Sequence, residues 1–244
     1  MAGLRFAVRK ALHSAGVLHR VRELRGRRTQ RPLFNPADPR TQIATVTCVD
    51  WLHQQGLLEG SDVLEFGIFR GFNVWFTQAY CRAKGISDLR WFGFDSFFGL
   101  PEIAGPDASG AFKEGEFSAY REDVEYYFNR FGVDWSRTVL VDGFFSDTLN
   151  ENTRARHQIR NCALAIVDCD LYSSTVEVLN FLEGLLAPSA VLYFDDWDDF
   201  RSTDQGEPRA FKEFADRTGS QFSVVELELP PGITKGKAFN LRRT

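Results

Sequence analysis

The 244-residue chain lacks the long apolar runs and biased composition that mark several large protein classes. No stretch approaches the roughly eighteen uninterrupted apolar residues of a transmembrane helix, so we expect no membrane-spanning segment. Glycine and proline together number 29, close to their average share. The chain is therefore neither collagen-like nor broadly disordered.

Cysteine and histidine are scarce, with four residues of each. The cysteines form no C-x-x-C pair, and the histidines do not group with them. This pattern argues against a disulfide framework and against a tetrahedral zinc site. We expect a reduced, cytoplasmic protein. The cysteines are Cys48, Cys81, Cys162 and Cys169, and the histidines are His13, His19, His53 and His157.

The net charge of −4 conceals two segments of opposite charge. Residues 1–31 carry nine basic side chains and one acidic side chain, which gives +8. The other 213 residues carry 20 basic and 32 acidic side chains, which gives −12. An acidic body does not suit a nucleic-acid partner, and we expect none.

The basic N-terminal arm, residues 1–31, has the apolar periodicity of an amphipathic helix. We predict an N-terminal helical extension over residues 1–58 and a catalytic domain over 59–244. The arm would pack on the body or on a second subunit, and we expect a homo-oligomer. Weak peripheral membrane contact, or an organelle transit peptide, stays an alternative. Asp38-Pro39 predicts the start of a helix that runs to about Gln55.

Strands and helices alternate from residue 61 onward, which predicts a doubly wound Rossmann-like α/β fold. We expect seven strands, mostly parallel, with the last one antiparallel. Residues 96–117 lack periodicity and predict a mobile loop. Ser174 to Glu177 reads as a capping box of a helix that runs to about Leu186. The predicted strands are 63–66, 91–94, 138–141, 163–167, 190–194, 222–229 and 237–241.

Two features after the first strands suggest a nucleoside-containing ligand. The segment Glu65 to Gly71 is a glycine turn between a strand and a helix, where backbone amides can face a ligand. Asp95 ends the second strand, where a carboxylate can accept hydrogen bonds from ribose hydroxyls. A ligand-free turn, and an aspartate that caps the next turn, are the alternatives.

Acidic residues follow the fourth and fifth strands, as Asp168-Cys169-Asp170 and Asp195-Asp196. If these strands are neighbours, their carboxylates converge, and like charges at close range need protons or a cation. Oxygen ligands favour Mg²⁺, with Mn²⁺ or Ca²⁺ as alternatives. Helix capping by Asp170 and a solvated acidic turn form the structural alternative.

Together, five ordered segments between residues 60 and 215 resemble the macrocin O-methyltransferase family. The resemblance implies a class I methyltransferase fold, with S-adenosylmethionine and Mg²⁺ as cofactors and a sugar hydroxyl or diol as acceptor. The segments are Glu65-x-Gly67-x-x-Arg70-Gly71, Phe94-Asp95-Ser96-Phe97-x-Gly99-Leu100-Pro101-Glu102, Gly143-Phe144-Phe145-x-Asp147-Thr148-Leu149, Asp168-x-Asp170-Leu171-Tyr172-x-Ser174-Thr175 and Asp195-Asp196.

The resemblance also implies a role for each site residue. The metal ligands would be Asp170, Asp195 and Asp196, and Asp168 would be the general base beside the cofactor. The ribose would lie on Asp95 and Ser96. The methionine part of the cofactor would lie along the glycine turn, and the adenine would lie at the end of the third strand. The turn residues are Glu65, Gly67, Arg70 and Gly71, and the adenine residues are Asp142, Gly143 and Phe144.

The chain departs from the family pattern at two positions, and two other functions remain as hypotheses. Cys169 stands where the family usually has Gly, and Phe98 stands where it usually has Glu. Asp168-x-Asp170 also suits the D-x-D element of a metal-dependent glycosyltransferase. A non-catalytic module that binds S-adenosylmethionine is the third hypothesis.

Overall fold

Seven strands form one sheet in the described part of the chain, with the order β3-β2-β1-β4-β5-β7-β6. The computed structural model describes residues 39–108, 112–198, 205–231 and 235–244. β7 runs antiparallel to β5 and β6, and the other neighbouring pairs are parallel. This confirms the predicted mostly parallel sheet with an antiparallel last strand. The strands are β1 (Ser61–Phe66), β2 (Leu89–Asp95), β3 (Thr138–Asp142), β4 (Cys162–Val167), β5 (Leu186–Phe194), β6 (Phe222–Leu227) and β7 (Lys237–Arg243).

One helix precedes the first strand, and the others connect consecutive strands from β1 to β6, as expected of a doubly wound sheet. A short 3₁₀ helix, Gly105–Asp107, lies in the long segment after β2. In the described ranges, no helix is long and apolar enough to cross a membrane. The α-helices are α1 (Arg40–Gln54), α2 (Phe72–Ala83), α3 (Arg121–Phe131), α4 (Phe145–Thr148), α5 (Glu151–His157), α6 (Tyr172–Leu182) and α7 (Gly206–Thr218).

The central strands are buried on both faces because helices cover the sheet from each side. Every residue of β1 and β4 is buried, and β4 consists of apolar side chains alone. Helix α1 joins the same core through Ala44, Val49 and Leu52. The carboxyl ends of β1 and β4 are thus fixed at the middle of the sheet.

Backbone hydrogen bonds continue past the strand ends and draw the following loops together. Gly67 N donates to Phe94 O (2.9 Å), Asp168 N to Phe66 O (3.0 Å), and Asp195 N to Val167 O (3.1 Å). Four loops therefore start from one edge of the sheet in register. In open α/β sheets this edge is where ligands bind.

Several predicted element boundaries are wrong. Helix α6 begins at Tyr172, so Ser174 is its third residue and not its cap. The 3₁₀ residue Asp107 caps it instead, because its carboxylate accepts Tyr172 N (2.8 Å) and Ser173 N (3.1 Å). The same helix ends at Leu182, and β5 starts at Leu186.

At the N-terminal side, helix α1 starts at Arg40 with Pro39 as its N-cap, so proline is not the first helical residue. Asp38 and the predicted basic arm lie outside the described residues. Helix α3 begins at Arg121, with Tyr120 as its N-cap. Helices α4 and α5 have no counterpart in the sequence prediction. The domain boundary after residue 58 stays a prediction.

Gly67 offers a test of how the strand ends are packed. Its φ is +89°, and a Cβ atom there would overlap the Asp168 carbonyl oxygen. We expect Gly67→Ala to lower the free energy of unfolding by about 3 kcal/mol or more, because backbone must move. Gly85→Ala is the control: its φ is +74°, with nothing within 4 Å of the new methyl group. That variant should lose only about 1–2 kcal/mol in urea unfolding. Equal losses would contradict this packing.

Candidate active site

A cavity of about 470 Å³ opens at the carboxyl ends of the parallel strands. Among the described residues, its wall contains six carboxylates and no Lys, Arg or His. A volume of this size accommodates a small organic molecule. The wall consists of Gly67, Phe69, Asp95, Ser96, Gly99, Leu100, Pro101, Phe117, Gly143, Phe144, Phe145, Ser146, Asp168, Cys169, Asp170, Ser173, Ser174, Glu177, Asp195 and Asp196.

Most of the residues predicted from the sequence lie on this wall, and four do not. Those on the wall are Gly67, Asp95, Ser96, Gly143, Phe144, Asp168, Asp170, Asp195 and Asp196. Glu65, Arg70, Gly71 and Asp142 are absent from it. A Cβ atom at Gly71 would overlap the Phe128 ring, so packing alone requires glycine there. Asp142 lies 3.6 Å from the Arg121 guanidinium, and Arg70 lies over the Phe69 ring.

Glu65 is buried beneath the cavity and held by one side chain. Its Oε2 accepts a hydrogen bond from Asn73 Nδ2 (3.0 Å), and the residue is 3% exposed. Burial raises the pKa of Glu65 from 4.5 to about 8, and the nearby charges of Asp195 and Asp95 act in the same direction. Glu65 thus does not line the cavity, and its hydrogen bond with Asn73 stabilises the end of β1.

Asp95 joins the two loops that follow β1 and β2. Its Oδ2 accepts Phe69 N (2.8 Å), and its Oδ1 accepts Phe97 N (2.6 Å). The predicted turn-capping role is therefore present, and the Ile68 backbone also bonds to this carboxylate. A carboxylate has about four lone-pair sites, so capacity for a ligand hydroxyl remains. Burial raises the pKa of Asp95 to about 6 despite these amide donors. Ser96 closes the same turn, donating to Gly99 O (2.8 Å).

The acidic residues after β4 and β5 converge because these strands are parallel neighbours. Burial raises the pKa of Asp168 well above its ordinary value, and the charges of Asp195, Asp196 and Asp170 raise it further. Burial likewise raises the pKa of Asp170 to about 6, although a hydrogen bond with the Asp196 side chain opposes the shift. The cluster thus holds protons more tightly than isolated carboxylates do.

A fifth carboxylate, Glu207, lies behind this cluster and was missed by the sequence prediction. It is fully buried in the first turn of α7, and its Oε2 accepts Asp196 N (3.0 Å). Burial, and then the charges of Asp196 and Asp195, raise the pKa of Glu207 well above its ordinary value. No motif marked it, because only the folded chain brings α7 under Asp196.

Asp195 is held by two hydroxyl groups that the sequence also did not indicate. Thr41 Oγ1 and Tyr193 OH both donate to Asp195 Oδ1, at 2.7 Å and 2.6 Å. Thr41 is in the first turn of α1, 154 residues away in the chain. The N-terminal helix thus fixes the orientation of a predicted metal ligand.

In the described ranges, no three His, Cys, Asp or Glu side chains are grouped so that they could hold a metal ion. The side-chain partners of the predicted ligands explain this. Asp195 is directed at two hydroxyl groups, and the side chains of Asp170 and Asp196 bond to each other. The chemistry of the donor set still fits a hard divalent cation, because all of these oxygens belong to carboxylates.

Left-handed backbone recurs where loops shape the cavity. Phe69, Phe97, Phe117 and Asp170 have φ of +47°, +53°, +58° and +63°. Residues other than glycine adopt such angles at a cost of about 1–3 kcal/mol, and they do so mainly at functional sites. By contrast, Trp197 packs on Phe194, Phe211 and Phe239, so it belongs to the core and not to the wall.

Comparison with known proteins decides the family. The family model described as macrocin O-methyltransferase (TylF) matches residues 43–223, well over half of the chain. The chain belongs to the macrocin O-methyltransferase family. The resemblance inferred from the sequence motifs is thereby confirmed.

Two curated relatives of this macrocin O-methyltransferase family member carry specific names. A Streptomyces olivaceus enzyme, 8-demethyl-8-(2,3-dimethoxy-alpha-L-rhamnosyl)-tetracenomycin-C 4'-O-methyltransferase, is 31% identical over 157 residues. That match spans 62% of this chain and only 57% of the relative. Mycinamicin III 3''-O-methyltransferase of Micromonospora griseorubida is 26% identical over 190 residues, spanning 74% of this chain and 70% of the relative.

Solved structures place the fold among the class I methyltransferases. The O-methyltransferase NovP superposes with a TM-score of 0.62 at 18% identity, covering 84% of this chain and 80% of NovP. The calicheamicin methyltransferase CalS11 gives 0.61 at 24% identity, covering 81% of this chain and 79% of CalS11. At these identities the likeness concerns the fold.

Thr41 provides a test of the support under Asp195. Thr41→Val removes one of two donors to a carboxylate, and we expect a loss of about 1–2 kcal/mol in the free energy of unfolding. Thr41→Ser should restore most of it. Thr47→Val is the control in the same helix, because its hydroxyl only donates to Ile43 O (2.8 Å), and it should lose less than about 0.5 kcal/mol. Urea unfolding measures all three, and equal losses for the two valine variants would refute the assignment.

Glu65 makes stability depend on pH. The folded chain keeps its proton up to about pH 8, whereas the unfolded chain releases it near 4.5, so the folded state binds more protons between these values. The free energy of unfolding should therefore fall as pH rises through this window, by a few kcal/mol. Glu65→Gln removes this titration and keeps an acceptor for Asn73. Unfolding of both proteins in chelator, from about pH 5 to pH 9, should show a shallower decline for the variant. Superimposable profiles would exclude this role.

Proposed function

We propose that the protein is an S-adenosylmethionine-dependent O-methyltransferase that acts on a sugar hydroxyl of a glycosylated natural product or polysaccharide. Membership of the family supports methyl transfer, and the printed activities of the two curated relatives support a sugar acceptor. The observation that carries the proposal is the cavity itself. It brings a ribose-type acid, Asp95, and the strand-end acid Asp168 onto one wall.

The cofactor would lie along the loops after β1, β2 and β3. Asp95 would accept the ribose hydroxyls, and Gly67, which also lines the cavity, would face the methionine part. Gly143 and Phe144 would border the adenine, as both line the cavity. Glu65 supports this wall from behind through Asn73.

Asp170, Asp195 and Asp196 would hold Mg²⁺. The argument is electrostatic: several partly buried carboxylates share one region, and a divalent cation would offset the repulsion that raises their pKa values. When bound, such a cation lowers the pKa of a coordinated hydroxyl and orients it. Mn²⁺ or Ca²⁺ would suit the same oxygen donors.

Asp168 would act as general base. S-adenosylmethionine would supply the methyl group and leave as S-adenosylhomocysteine, and Asp168 would take the proton of the hydroxyl that receives the methyl group. Asp168 is suited to this role because neighbouring carboxylates and burial favour its protonated form. The hydrogen bonds that hold Asp95 and Asp195 would keep the reacting groups aligned.

The remaining proposals concern the whole protein. We propose a cytoplasmic homo-oligomer whose basic arm, residues 1–31, packs on protein, with weak membrane contact as the alternative role of that arm. A glycosyltransferase and a non-catalytic binding module are the competing functions. Neither requires Asp95 and Asp168 on the same wall with a glycine turn.

A methyl-transfer assay tests the function. With radiolabelled S-adenosylmethionine and a panel of glycosides, we expect label in the acceptor that depends on added Mg²⁺ and disappears in excess chelator. Asp168→Asn should lower kcat by at least about a hundredfold, because the base is lost while the wall is kept. Asp88→Asn is the control, since Asp88 is a surface residue with a 68% exposed side chain.

Two results would count against the proposal. Full activity of Asp168→Asn would show that Asp168 is not the general base. Full activity in excess chelator would show that the reaction needs no metal ion. Calorimetric titration with S-adenosylmethionine and with nucleotide sugars separates the competing functions. Binding of nucleotide sugars alone would favour a glycosyltransferase, and cofactor binding without turnover on any acceptor would favour a binding module.

A further inference from the structure

The carboxylate of Glu177 lies on the cavity wall, and the proposed methyl transfer does not use it. The residue is partly buried in the second turn of α6. The sequence pattern predicts a capping role for it, but Asp107 accepts the first amides of that helix instead. Burial, and then the charge of Asp147, raise the pKa of Glu177 above its ordinary value. A hydrogen-bond donor from a ligand would relieve this unfavourable environment of the anion.

Glu177 belongs to the part of the wall that α4 and α6 form together. Ser173, Ser174 and Glu177 are three and four residues apart, so they share one face of α6, and all three line the cavity. Helix α4 packs against α6 and contributes Phe145 and Ser146 to the same wall. Glu177 is therefore placed beside the junction between β3 and α4.

Backbone contacts connect the proposed ribose acid to this junction. Asp95 ends β2, and its carbonyl oxygen accepts Gly143 N (3.0 Å). Gly143 and Phe144 follow β3 and line the cavity, and Phe144 is the N-cap of α4. The wall thus runs from Asp95 through Gly143 and Phe144 to α4, where it meets Glu177. A nucleoside with its ribose on Asp95 and its base along Gly143 and Phe144 directs the outer edge of the base toward Glu177.

The chemistry of that outer edge matches a carboxylate. Adenine carries an amino group there, which donates hydrogen bonds, and an ionised carboxylate only accepts them. The sequence motifs assign Asp142 to the adenine, but its carboxylate lies 3.6 Å from the Arg121 guanidinium and not on the wall. Asp142 therefore pairs with a cation of the protein, whereas Glu177 presents its carboxylate to the cavity.

We propose that Glu177 accepts a hydrogen bond from the amino group of the cofactor's adenine and so makes the site selective for a 6-aminopurine nucleoside. This rests on the proposed function and deepens it, because it assigns recognition of the base to a residue of α6. The motifs found in the sequence give no residue of that helix such a role. A hydrogen bond to a charged group favours adenine over other purines by about tenfold to a hundredfold.

Three product analogues test this assignment by calorimetry: S-adenosylhomocysteine, its hypoxanthine analogue and its unsubstituted purine analogue. The unmodified protein should bind S-adenosylhomocysteine at least about tenfold more tightly than either analogue. Glu177→Leu should weaken S-adenosylhomocysteine about tenfold and leave the Kd of the unsubstituted purine nearly unchanged. Glu177→Gln presents an amide that can also donate, so it should bind the hypoxanthine analogue about tenfold more tightly than the unmodified protein does.

Asp147→Asn is the matched control. The charge of Asp147 acts on Glu177, but Asp147 is not a wall residue, so this variant should keep the three Kd values within about twofold. Equal binding of the three purines by the unmodified protein, an unchanged preference in Glu177→Leu, or no gain for the hypoxanthine analogue in Glu177→Gln would each overturn the assignment alone. Failure to bind S-adenosylhomocysteine at all would overturn the proposed function as well.

Discussion

Mutual repulsion among partly buried carboxylates is the constraint on which the rest of this structure depends. Asp168, Asp170, Asp195, Asp196 and Glu207 are brought together because β4 and β5 are parallel neighbours and α7 packs beneath them. Carboxylates this close to one another must be protonated, hydrogen-bonded or neutralised. The structure shows the first two solutions, in raised pKa values and in donors such as Thr41 and Tyr193.

The fold tolerates this cluster because the strands beneath it are buried and closely packed. The two central strands, β1 and β4, are buried along their whole length, and Gly67 packs directly on the Asp168 backbone. Helix α1 adds to this support, although it precedes the first strand. A residue of the predicted N-terminal extension, Thr41, therefore helps to hold a side chain of the cavity wall.

Sequence reasoning found what depends on local pattern. Apolar runs of four to six residues marked β1, β2 and β4, and the acids at their ends marked the cavity, because parallel strands present their carboxyl ends at one edge. The sequence did not predict hydrogen bonds between residues that lie far apart along the chain. Asp107 caps a helix 65 residues away, and Thr41 reaches across 154 residues, so neither leaves a spacing that can be read. Gly71 was assigned to the ligand, whereas the Phe128 ring already accounts for it.

The two sides of the cavity differ in the contacts that hold their side chains in place. The carboxylate side is polar, held by many hydrogen bonds, and suited to chemistry that any O-methyltransferase of this kind needs. The opposite side, formed by Phe69 and Phe117, presents its rings to solvent, with exposed fractions of 36% and 48%. Changes there alter the apolar contact without unpairing a buried polar group, so their energetic cost to the fold is small. Phe69 and Phe117 can therefore change at less cost to the fold than the acids can.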